Sequence, residues 1–226
     1  MLIDLTHVFR EAMPGTRLKG PDGEVVEFRA RIRPFLTHAQ SAPNYDGKAA
    51  FEITEVEFHT SVGTYMDAPR HRFADKGDIA TLGLDRLVLP GVVVDARHAR
   101  PGEGLTLADV DLPADLAGKA VLVNFGWDRF WGEPAYYQVP YLARDVLAHL
   151  RGAGIALYGV DALNADCTAD PERPAHTWLL GDEILIVENL TGLDRLYGRA
   201  FRFFSLPVPV EGAAAFPVRA FAEVPD

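Results

Sequence analysis

One cysteine, Cys167, stands among 226 residues, so neither an internal disulfide nor a cysteine-based zinc site can be built. That scarcity fits a reducing cytoplasm, the expected location. Cys167 has no marker of a catalytic thiol and reads as a buried or half-buried structural residue. Positive charge is also short, with 22 Lys and Arg against 32 Asp and Glu, a net charge of −10. A phosphate backbone needs a basic face, so nucleic acid is excluded as a partner. No apolar run reaches the length of a membrane span, and "MLIDLTHVFR" lacks the pattern of a signal peptide, so no membrane partner is expected. Repeats, low-complexity tracts and boundary-marking linkers are missing too. Residues 1–226 therefore read as a single domain.

What is present is mostly strand. "EVVEFRARIR" alternates Val26, Phe28, Ala30 and Ile32 against Glu27, Arg29, Arg31 and Arg33, the pattern of a half-exposed strand. Residues 50–60 predict another, whose apolar parity slips from Phe51 and Ile53 to Val56 and Phe58, which places a β-bulge near Thr54. Further strands are predicted at 91–96, 120–126, 155–161 and 183–190, with 201–210 and 217–224 closing the chain. Several are continuous apolar runs, the mark of strands covered on both faces. The clearest helix is "YLARDVLAHLRGAG", 141–154, with Leu142, Val146, Leu147 and Leu150 in one stripe, Pro140 before it and glycines after. Lying between the 120–126 and 155–161 strands, it makes a βαβ crossover and a parallel pair. The fold class is α/β, a mixed, partly barrel-like sheet with flanking helices.

The stretch "FHTSVGTYMDAPRHRF", Phe58–Phe73, concentrates turn-formers and ionisable groups in sixteen residues. Divalent metals of the zinc and manganese type take imidazole nitrogen and carboxylate oxygen. Candidate donors are Asp67 and His71 here, Asp161 at a strand end, and His176 with Glu188 in "HTWLLGDEILIVE". Taken singly, an Asp near a proline is more often a turn-former, and a lone His more often a satisfied core or surface residue.

The run "GTYMDAPRH" resembles the Gly-Thr-His-x-Asp-x-Pro-x-His signature of the bacterial cyclase-like family, which includes kynurenine formamidase and isatin hydrolase. "IDLTH", "PGVVVD", "GWDRFWG" and "GVDALNAD" are also similar to that family. "HTWLLGDEILIVENLTGLDRL" matches its second histidine and Glu-Asn-Leu, with twelve residues from His176 to Glu188. The resemblance implies a swivelling β/β/α, cyclase-like fold and a homodimer or homotetramer with sites near subunit contacts. It also implies a metal-dependent hydrolase of an amide, lactam or lactone, of the arylformamidase type. In formamidases, two leading motif histidines and the Asp bind one zinc, and the same Asp with the later His and Glu binds a second. Here the leading positions hold Ser61 and Tyr65.

A neutral hydroxyl or a phenol with pKa near 10 replaces imidazole poorly. The expectation is therefore one divalent ion, zinc, manganese or magnesium, on Asp67, His176 and Glu188, with no organic cofactor. His71 is expected to serve as general acid and base, its pKa lowered if Arg70 and Arg72 lie close. Tyr65 either donates a hydrogen bond to a substrate or plugs the vacated ligand position. His59 falls on the Ser61 side of its strand, one pleat repeat away, and reads as a packed or edge histidine. Ser61, Trp127, Phe130 and Trp131 are assigned to substrate binding, the aromatic cluster forming a pocket rim and a subunit interface. Asp161 and Asn164 are expected to support the site from behind. Two other readings stand beside this one. One is a metal-free lyase or cyclase using His71, Tyr65 and Glu188; the other is a non-catalytic binding protein for a small organic acid.

Overall fold

The computed structural model describes every residue except Ala12, Pro21 and Asp226. In chain order the strands are β1 (Leu2–Asp4), β2 (Arg17–Lys19), β3 (Val25–Glu27), β4 (Ala30–Leu36), β5 (Ile53–Phe58), β6 (Tyr65–Asp67) and β7 (Val88–Asp95). There follow β8 (Gly104–Leu105), β9 (Ala120–Asn124), β10 (Tyr141–Leu142), β11 (Leu157–Val160), β12 (Leu185–Glu188), β13 (Phe201–Pro207) and β14 (Ala215–Glu223). The α-helices are α1 (His38–Ser41) and α2 (Arg144–Gly152), with short 3₁₀ turns and a π-helix at Ala175–Leu179.

Seven strands close a ring in the order β14, β13, β7, β9, β11, β12, β6, because β6 returns to pair with β14. The mixed sheet is thus a barrel, with β1 added along the far half of β14. The strands β7, β9, β11 and β12 run parallel, while β6, β13 and β14 run antiparallel to their neighbours. Every residue of β9, β11 and β12 is buried, as strands covered on both faces should be.

Parity sorts their side chains into two cores. Ala120, Leu122, Leu157, Leu185 and Val187 turn inward with Met66 and Phe203 and fill the barrel. Val121, Val123, Tyr158, Val160 and Ile186 turn outward and pack on Val146, Leu147 and Leu150 of α2. Gly159 is required by the first core: a Cβ there would meet Leu122 Cδ2 at 2.6 Å and Leu190 Cδ1 at 2.9 Å. The crossover from β9 through α2 to β11 yields the expected parallel pair.

Three local expectations change. The strand read over 24–33 is two strands, β3 and β4, in separate small sheets with β2 and β5. The break falls at Phe28, whose N–H bonds the Thr16 carbonyl while its own carbonyl lies where a Gly15 Cβ would sit, 1.9 Å away. The irregularity expected near Thr54 is there, but between Pro34 and Leu36 of the facing strand, which carries the extra residue opposite Ile53 and Thr54. The helix is shorter than 141–154, because Tyr141 and Leu142 pair as a strand with Gly104 and Leu105 before it starts. No helix among the described residues is long and apolar enough to cross a membrane.

Candidate active site

The outer end of the β6–β12 pair gathers the candidate donors. In β6, Met66 points into the barrel, so Tyr65 and Asp67 face outward. The antiparallel register sets Tyr65 directly opposite Glu188 and Asp67 opposite Ile186. Pro69 then turns the chain into a 3₁₀ turn, Pro69–His71, which brings His71 Nδ1 to 3.3 Å from Asp67 Oδ1. From the other side, the π-helix Ala175–Leu179 delivers His176, with Nε2 at 3.8 Å from Asp67 Oδ2 and 3.5 Å from Glu188 Oε1. Single π turns are frequent at functional sites, since they re-aim one side chain. Asp67, His71, His176 and Glu188 therefore converge.

Asp67 is 0 % exposed, and neither of its oxygens has a hydrogen-bond partner among the described residues. Burial pushes its carboxyl up to about 7, against the pull of His176 and Arg173. Glu188 is also 0 % exposed, but both its oxygens are engaged: Oε1 accepts from the Ala165 N–H at 2.6 Å, and Oε2 from the Tyr65 hydroxyl. Burial likewise raises Glu188 to about 7. His71 sits at the mouth, with 34 % of its side chain exposed. Burial first, and the neighbouring His176 second, lower it to about 4, so it is neutral at ordinary pH. Burial opposes the charged form of His176, yet its hydrogen bond to Asp166 and the nearby carboxylates outweigh this and raise its pKa.

Of the two roles weighed for Tyr65, the geometry matches the plug: the side chain is 3 % exposed and its hydroxyl is committed to Glu188 rather than to a substrate. Arg72 contributes only the smallest of the causes lowering His71, since its guanidinium is spent on Thr177 Oγ1 and the Glu172 carbonyl. Arg70 turns away to the Ala74 carbonyl. Ser61 is half-buried in the bend before Val62, and among the described residues no hydrogen bond links it to the centre. Trp127, 1 % exposed, belongs to the outer core rather than to a rim, with Phe130 edge-on at 5.0 Å. Trp131 is half-buried and stacks on His7 at 3.8 Å. His59 has the packed, edge role expected of it, accepting from the Arg29 N–H and stacking on Phe28. Cys167 is free and half-buried.

Asp161 does not support the site as expected. It accepts from the Phe125 and Trp127 N–H groups and ties down the loop after β9. The carboxylate behind the site is Asp166, which sequence reasoning passed over. It accepts from the Ala175 and His176 N–H groups and from His176 Nδ1, the last at 2.6 Å. That bond fixes the imidazole so that Nε2 faces Asp67 and Glu188. Asn164 does act from behind: its Oδ1 accepts from the Asp166 N–H and from Arg173 Nη2. Arg173 was also missed. It is a half-buried cation at a positive φ of 50°, with Nε 3.5 Å from Asp166. The Asn of Glu-Asn-Leu is a third omission. Asn189 donates to the Gly63 carbonyl and accepts from Tyr136, while its own carbonyl accepts from Thr64 Oγ1. The only available signals were Asp166 and Arg173 flanking the His176 segment, and Asn189 adjoining Glu188.

A model of the putative cyclase family matches residues 3–167. The chain belongs to the cyclase family. The chain is 29 % identical over 158 residues to a kynurenine formamidase of Sphingopyxis alaskensis, covering 70 % of this chain and 74 % of that one. It is 28 % identical over 198 residues to a kynurenine formamidase of Bacillus mycoides, covering 83 % and 86 %. In fold the chain superposes on an isatin hydrolase bound to the product analogue thioisatinate with a TM-score of 0.83 at 23 % identity, over 100 % of this chain and 92 % of that one. Isatin hydrolase A from Ralstonia solanacearum gives the same TM-score at 22 % identity, over 98 % and 91 %.

The donor set fits one divalent cation. A fully buried carboxylate with no donor is costly unless it is protonated or meets a cation. Asp67 has two imidazoles beside it, and one of these, His176, is oriented from behind by a carboxylate in the manner of metal-bound histidines. Glu188, beside this group, has both oxygens engaged, by the Ala165 N–H and the Tyr65 hydroxyl.

Proposed function

We propose that this member of the cyclase family is a hydrolase that opens the C–N bond of a small amide or lactam, with an aryl formamide as the leading substrate class and a lactone as a related one. The observation that carries the reading is Asp67, wholly buried with both oxygens unpaired between two imidazoles, in a fold shared with isatin hydrolases and in a chain related to kynurenine formamidases. A divalent zinc, manganese or magnesium ion supplies Lewis acidity and a place for water in such a donor set.

The chain's own groups do the rest. Asp166 keeps the Nδ1 side of His176 occupied, so Nε2 stays turned to Asp67. Ala165 and Tyr65 hold Glu188 rigid beside it. His71, neutral and at the mouth, offers a lone pair either to a proton or to a cation. The closed barrel behind β6 and β12 excludes water from the inner side of the centre. Self-association, with a small molecule as the only other partner, completes the proposal.

The test is turnover of a panel holding an aryl formamide, isatin and a lactone, with each of the three metals supplied. Asp67→Asn is expected to abolish turnover while the protein stays folded. Full activity in Asp67→Asn, or no turnover of any member with any metal, overturns the reading.

A further inference from the structure

The candidate donors divide into two sets around Tyr65. Glu188 acquires a hydroxyl donor on Oε2 in addition to the Ala165 N–H on Oε1, so neither oxygen is left without a partner. His71, by contrast, is drawn to Asp67 across the Pro69 turn, its Nδ1 at 3.3 Å from Oδ1. Candidate ligand atoms of Asp67, His71 and His176 all lie within 4.8 Å of one another, and Glu188 is not in that group. The two histidines also face each other, with ring centroids 5.7 Å apart.

We infer that Tyr65 withdraws Glu188 from metal binding and that His71 takes its place, so that the protein holds one divalent cation on Asp67, His71 and His176. Two imidazoles and one carboxylate form a donor set with room for water, of the type that suits zinc, cobalt and iron(II) better than magnesium. Glu188 then stays beside the centre: its Oε1, 3.5 Å from His176 Nε2, adds negative charge next to the ligands without joining them. Tyr65 is a positioning residue, buried too deeply to touch a substrate. His71, with a third of its side chain open, becomes the ligand nearest solvent and the one past which substrate enters. The inference concerns the centre on which the hydrolase reading also depends, and it rests on that reading for the expectation that a cation is held there.

The experiment is a Co²⁺ titration of chelator-treated protein, read by visible absorption and by elemental analysis after gel filtration, for the wild type, His71→Asn, His71→Gln, His176→Asn and Glu188→Gln. Circular dichroism confirms the fold of each. The wild type should bind one cobalt per chain with ligand-field bands of a low-coordinate ion. His71→Asn, His71→Gln and His176→Asn should each weaken binding roughly 100-fold or more, since even groups behind a ligand are worth roughly 10- to 100-fold. Glu188→Gln should weaken binding by roughly 10-fold or less, well short of the His71 variants, and leave the spectrum unchanged. Loss of cobalt in Glu188→Gln with retention in the His71 variants overturns the assignment, as do two cobalt ions per chain or none. Cobalt bound as described with no turnover of the substrate panel sinks the hydrolase reading alone. Turnover with cobalt on a Glu188-dependent site sinks only the ligand assignment.

Discussion

His7 shows how one half-buried imidazole couples folding to pH. Its ring stacks on Trp131, its Nε2 is buried without a hydrogen-bond partner among the described residues, and burial lowers its pKa to about 4, with Asp128 opposing and Arg10 assisting. The folded state therefore binds a proton less readily than the unfolded chain, whose histidine titrates near 6.5. The associated stability is fully present above about pH 6.5 and is lost as pH falls through about 4. His7→Phe keeps a flat ring on Trp131 and removes the titration. Its urea midpoint should fall less than that of the wild type between pH 7.5 and pH 5; an equal fall in both proteins refutes this account. A second prediction concerns Asn189, which holds a positive φ of 58° and links the Gly63 carbonyl, Tyr136 and Thr64. Asn189→Ala strands the Gly63 carbonyl and the Tyr136 hydroxyl in the interior, so a loss of about 1–3 kcal/mol is expected in chemical denaturation. At this scale the motif donors could be read directly. Asp166, Arg173 and Asn189 could not, because their roles arise from partners that only folding brings near, such as Gly63, 126 positions before Asn189.

At the scale of elements, β6 is three residues long, and its register against β12 decides what the site can bind. A slip of one residue would turn Tyr65 and Asp67 into the barrel and Met66 out of it. Because Tyr65 faces Glu188, restoring histidine there acts on two residues at once. Ser61→His with Tyr65→His should release Glu188 from its hydroxyl donor and raise metal content from one ion toward two per chain by elemental analysis. Unchanged stoichiometry in a folded double variant shows that the tyrosine is not what limits the count. Strand existence was legible for β7, β9, β11 and β12, since continuous apolar runs have few other uses. The π-helix under His176 was not legible: its extra residue per turn leaves no periodicity in five residues.

At the scale of the molecule, residues 17–58 stand apart in character. Eight of the fourteen exposed large hydrophobics among the described residues fall there, Phe35 and Val25 the most open at 67 % and 65 %. On the β4–β5 sheet, Arg31 and Arg33 pair with Glu57 and Glu55 on one face, leaving Ile32 and Val56 together on the other. Apolar surface gathered on one region is what an association surface presents. Sedimentation at micromolar concentration should show a dimer or larger, and replacing Phe35, Ile53 and Val56 by Ser should shift it toward monomer. A wild-type monomer refutes the expectation. The sequence by itself determined the α/β class and the outward helix stripe of Val146, Leu147 and Leu150, and it singled out Asp67, His71, His176 and Glu188 as candidates, because each is written in local period or in a spaced motif. Only the tertiary structure decided that the sheet closes on itself through β6 and β14, that Asp166 rather than Asp161 stands behind His176, and that Tyr65 captures Glu188. Those outcomes depend on register and on contacts between distant segments, where a shift of a few ångströms exchanges one partner for another.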